Sequence, residues 1–76
     1  MQIYGYRRDD ESQTLMEMAE ISFQGDVDEL RRVAQFLVSA AAALEQHGEV
    51  FGHEHLKYGS FGFAQDGPDV VVVRPS

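Results

Sequence analysis

The chain has no cysteine, so neither a disulfide nor a thiolate metal site can brace it. Bases are scarce. Six Lys and Arg stand against thirteen Asp and Glu, a formal charge of −7 that a phosphate backbone would repel. We therefore expect no nucleic-acid partner. No apolar run approaches the ~20 residues that a bilayer requires. The start Met1-Gln2-Ile3-Tyr4-Gly5-Tyr6 has no basic region leading into an apolar stretch. These two absences predict a cytoplasmic protein with no membrane partner. Length is short too: 76 residues make a single domain, 1–76, with a thin core, because a fold of about 60 residues hides only ~60% of its unfolded surface. A second chain is one way to supplement such a core, and we expect a homodimer.

What is present suffices for a fold, since 43% hydrophobic and 25% charged residues are ordinary for a folded domain. The charge, however, is regional. Residues 1–8 hold two Arg and no acid, residues 9–29 hold eight acids and no base, and residues 30–76 hold five acids and four bases. Asp9, Asp10 and Glu11 form one cluster, and Asp26, Asp28 and Glu29 another. Such lopsided charge can steer a basic partner, although a solvated turn and a helix start would explain the same residues.

Gln2 to Arg7 alternates as a strand, and the polar run Arg8 to Gln13 reads as a turn. Thr14 to Gln24 predicts a long second strand with Leu15, Ile21 and Phe23 on one face and Met16 and Met18 on the other. Asp26 to Gln46 is a helix, with Asp26 and Glu29 spaced as a capping box and Gly48 as its stop. Leu30, Ala34, Leu37, Ala41 and Leu44 form its apolar stripe, and Val33, Phe36, Ala40 and Ala43 widen it. Arg32, Gln35, Ser39 and Gln46 are left as the polar back. Met16 and Met18 on the far sheet face are candidates for a dimer contact, and Phe36 on the helix shoulder either caps the edge of the chain's own core or joins that contact. Phe61 to Ala64, the turn Gln65-Asp66-Gly67-Pro68 and the run Val70 to Val73 predict a hairpin whose valines lie inside a sheet. The order β-β-α-β-β gives an α+β fold: a mostly antiparallel four-stranded sheet with one long helix packed on one face.

One block could carry chemistry: Gly52-His53-Glu54-His55-Leu56. In an extended segment His53 and His55 project to one face, near enough to share a metal ion, but a site needs a third ligand. The competing reading is structural, with Phe51 and Leu56 anchoring the core. No nucleophile accompanies the histidines, Ser60 being the nearest hydroxyl, and Gly59-Ser60-Phe61-Gly62 lacks the base that a phosphate cradle requires. We expect no catalytic residue and no cofactor, with a small metal-binding protein using His53 and His55, or a structural or regulatory homodimer, as the alternatives.

The start Ile3-Tyr4-Gly5-Tyr6 with its acidic turn, the helix Val27 to Leu37, the block Phe51 to Leu56 and the ending Pro68 to Val73 together resemble a small α+β immunity-protein family of bacterial polymorphic toxin systems. The resemblance implies a non-enzymatic protein that binds and neutralises a cognate toxin. Many such toxins are basic nucleases, and an acidic surface built from Asp9, Asp10, Glu11, Asp26, Asp28 and Glu29 would suit one. Gly52, His53, Glu54 and His55 are the most specific part of the likeness.

Overall fold

Residues 1–9, 11–64 and 66–75 are described by a computed structural model. Helix α1, Val27–His47, dominates it. Its start is the reciprocal cap that the sequence predicts. The Glu29 amide donates to Asp26 Oδ1 at 2.7 Å, and the Asp26 amide donates to Glu29 Oε1 at 3.0 Å, so two otherwise unpaired donors are satisfied. At the other end Gly48 takes a positive φ of 52° and its amide donates to the Leu44 carbonyl, which closes the helix.

The sheet departs from expectation. Two separate two-stranded antiparallel sheets replace the four-stranded one. Strand β1, Tyr4–Gly5, pairs with β2, Met16–Glu17, placing Tyr4 opposite Glu17 and Gly5 opposite Met16; the Met18 amide adds a bond to the Ile3 carbonyl at 2.7 Å. The predicted Thr14 to Gln24 strand is thus cut to a short ladder. Between the strands Asp9 and Gln13 adopt left-handed φ values of 60° and 54°, which turn the polar link. The two faces are also reversed: Met16 and Met18 are half-buried, while Leu15, Ile21 and Phe23 are exposed.

The second sheet joins β3, His53–His55, to β4, Val71–Val73, with His53 opposite Val73, Glu54 opposite Val72 and His55 opposite Val71. The Leu56 amide extends the ladder to the Val70 carbonyl. The predicted pairing of Phe61 to Ala64 with the valines is therefore wrong, and the cause lies in α1. Arg32 Nη1 donates to the carbonyls of Phe61 at 3.1 Å and Gly62 at 2.8 Å, so those acceptors face the helix instead of a strand. Its guanidinium also stands 4.7 Å from the centre of the Phe63 ring. Gly62 is required twice over, because its φ is +79° and an added Cβ would lie 2.9 Å from Arg32 Nη1. Arg32, expected on the polar back, is a half-buried clamp. The valines are not interior either, since Val71 and Val73 are exposed in a two-stranded sheet.

Among the described residues four side chains form the buried core: Phe36, Ala40, Phe51 and Leu56, each 5% exposed or less. Phe36 meets Phe61 edge-to-face with ring centres 5.7 Å apart. The helix thus turns Val33, Phe36, Ala40 and Ala43 inward, whereas Leu30, Ala34, Leu37 and Ala41, the stripe expected to face the sheet, are exposed. Phe36 therefore packs in the chain's own core. Phe36→Ala should cost about 3–5 kcal/mol and Leu37→Ala well under half of that, measured as urea unfolding free energies. Equal losses would contradict this assignment of faces.

Candidate functional site

The acidic residues fall into two different situations. Asp9 and Glu11 are exposed in the link between β1 and β2, while Asp10 lies outside the described residues. At the helix start the carboxylates already have structural work: Asp26 and Glu29 close the capping box, and Asp28 Oδ2 stands 3.0 Å from Arg32 Nε one helical turn on. That last contact is coulombic, because Nε makes no well-angled hydrogen bond. With its side chain 80% exposed, Asp28 gains little from the pair. Glu17 and Glu20 add two more exposed carboxylates to the same stretch of chain.

The Gly52 to Leu56 block is anchored at both ends by buried residues, Phe51 before it and Leu56 after it. Between these anchors His53 and Glu54 are exposed and His55 is half-buried. The His53 and His55 rings meet edge-on with centres 4.9 Å apart, and Tyr58 tilts against His55 at 5.1 Å. His55 Nδ1 lies 2.5 Å from Asp69 Oδ2, and the Lys57 amide donates to Asp69 Oδ1 at 3.2 Å. This carboxylate binds the end of β3 to the segment entering β4. A metal finds no such set of ligands: among the described residues no group of three His, Asp or Glu is placed to hold one.

Sequence reading missed Asp69 and Arg32. Asp69 follows Gly67-Pro68 and looks like a turn residue, yet antiparallel pairing of His55 with Val71 puts it beside His55 and Lys57. The correct strand register would have found it. Arg32 had no comparable signal, since its partners are backbone carbonyls thirty residues away.

The cleft beside this block, lined by Phe36, Ala40, Glu54, His55, Gly59 and Phe61, holds about 90 Å³. Another hollow, between Leu44, Gly48, Glu49, Arg74 and Pro75, holds about 260 Å³. Both fall below the ~300 Å³ at which small-molecule sites begin. Among the described residues no helix is long and apolar enough to cross a membrane.

What remains is a small α+β protein whose chemistry lies on its surface. The chain belongs to the family described as Immunity protein 32, whose model matches residues 20–75. The match takes in α1, the histidine block and β4, and it leaves out the β1–β2 link and the Ile3 to Tyr6 start. Membership supports an immunity function, with the non-enzymatic role and toxin partner that such a function implies. No curated protein matches the chain, and no solved structure does.

Asp69 makes the fold sensitive to acid. Burial alone raises its carboxyl pKa, but the hydrogen bonds from His55 and from the Lys57 and Val70 amides, with the nearby His55 charge, outweigh it and hold the group below its ordinary 3.8. A carboxylate depressed in the folded state stabilises the fold above its unfolded pKa, and that stabilisation is lost as pH falls through the folded value. Asp69→Asn should therefore cost about 1–2 kcal/mol near neutrality and flatten the decline in stability below about pH 4. Urea titrations at a series of pH values check both; an unchanged acid limb would remove Asp69 from this role.

Proposed function

We propose that the protein binds a cognate bacterial toxin domain in the cytoplasm and neutralises it by stoichiometric contact, without catalysis or cofactor. The family match over residues 20–75 carries this reading. Charge supports the choice of surface. Eight acids and no base occupy residues 9–29, and Asp9, Glu11, Glu17, Glu20, Asp26 and Asp28 are exposed. A basic toxin surface, such as one evolved to hold phosphates, is attracted to this acidic stretch, and the attraction acts mainly on the rate of encounter.

The Asp9-Asp10-Glu11 turn is the first contact. Asp26 and Glu29 are committed to the cap and Asp28 faces Arg32, so those three contribute field more than direct bonds. Asp9 and Glu11 belong to no such cap, although the left-handed φ of 60° at Asp9 helps turn the link.

The experiment is charge reversal. Asp9, Asp10 and Glu11 are changed together to Lys, and association with the toxin domain encoded beside this gene is followed over a range of salt. The association rate should fall by about tenfold or more at low salt and lose most of its salt dependence. Wild-type rates would dismiss this turn as the contact, and a wild-type chain that does not bind the toxin at all would dismiss the proposed function.

A further inference from the structure

Helix α1 has two apolar faces, and the fold uses one of them. Val27, Leu30, Ala34, Leu37, Ala41 and Leu44 succeed one another at spacings of three and four over three heptads. These are the a and d positions of a coiled-coil seam, with Leu at every d position. Val27 is 63% exposed, Leu30 42% and Leu37 43%; Ala34 and Ala41 are exposed, and Leu44 is partly covered. Among the described residues none buries the row from Val27 to Ala41.

The residues beside the seam indicate the occupant. Arg31, Val38 and Glu45 recur every seven positions along one flank, all exposed. The row is positive near the helix start, apolar in the middle and negative near the end. Placed parallel to itself it opposes Arg to Arg and Glu to Glu. Placed antiparallel about a two-fold axis, it brings Arg31 of each copy toward Glu45 of the other and Val38 toward Val38. Flanking charges of this kind set the orientation of helix pairs. A strongly basic partner has no such reason to choose a strip that is apolar and carries one charge of each sign.

We propose that this face binds a second copy of the chain as an antiparallel two-helix seam. Ala34 and Ala41 let the two axes approach toward the short end of the usual 8–10 Å. The contact is isologous and closes as a dimer. Its 21-residue helix spans about 31 Å, so the seam is short and the dimer dissociates in the micromolar range.

Sedimentation equilibrium of the full chain from about 1 to 500 µM tests it, with circular dichroism to confirm that each variant keeps its helix. Wild type should pass from monomer to dimer across that range. Leu37→Asp, at an exposed position, should weaken dimerisation at least about tenfold by putting two charges into the seam. Arg31→Glu and Glu45→Arg alone should each weaken it about fivefold, and the two together should restore it. Monomer at every concentration overturns the proposal, as does a dimer indifferent to Leu37→Asp or a double variant no tighter than the singles. Should Leu37→Asp spare the oligomeric state but abolish toxin binding, the face belongs to the toxin and the proposal falls. Because self-association is measured without toxin, its failure leaves the immunity reading untouched.

Discussion

The inner face of α1 has to be held by very little, and the rest of the structure follows from how that is done. Among the described residues the buried core is Phe36 and Ala40 of the helix together with Phe51 and Leu56. Phe61 completes the contact by standing edge-on to Phe36, and Arg32 fixes the loop that carries it through two carbonyls. A charged side chain thus performs part of the packing. With its acceptors turned toward the helix, the loop cannot pair with the valines, and β3 becomes their partner. That pairing brings Asp69 to His55. The sheet register, the histidine contact and the position of the helix are consequences of one arrangement.

The local signals in the sequence were reliable wherever the cause was local. Asp26, Glu29 and Gly48 delimited α1 to within a residue, because capping geometry depends on neighbours a few positions away. Strand pairing depends on distant residues, and there the reading failed. The Gly67-Pro68 turn was real enough to suggest a hairpin, but Arg32 had already claimed the carbonyls of Phe61 and Gly62. The α+β class survives that error; the four-stranded sheet does not. For the helix, the apolar stripe was legible and its direction was not, since Leu30, Ala34 and Leu37 lie only about 100° of helix rotation from Val33, Phe36 and Ala40. Periodicity shows that a face is apolar without showing what covers it.

The acidic stretch illustrates the same distinction for function. Asp26 and Glu29 looked like part of a binding surface and are members of a cap, in which their charge stabilises the amide end of the helix. A carboxylate can serve a cap and still contribute to the field seen by a partner, because its hydrogen bonds to backbone leave its charge in place. Counting acids along the chain does not separate carboxylates held in a cap from those free to contact another molecule. Only the hydrogen bonds make that separation. They move the weight of the proposed contact to the β1–β2 link, which lies before the matched residues 20–75.

A thin core has a thermodynamic consequence that connects stability with binding. Any partner that binds the folded chain and not the unfolded one stabilises it by mass action, by about 2.7 kcal/mol when present at a hundred times its dissociation constant. Against a total stability of typically 5–15 kcal/mol, that is a large share for any domain, and larger for one with four buried side chains. The apolar seam left open on α1 is the kind of surface through which such coupling acts, since covering Val27, Leu30 and Leu37 adds burial that the chain cannot provide for itself. Charged contact through the β1–β2 link acts differently, changing encounter more than stability. On these two proposals, surfaces of opposite chemistry on one small chain divide the work, one completing the fold and the other selecting the partner.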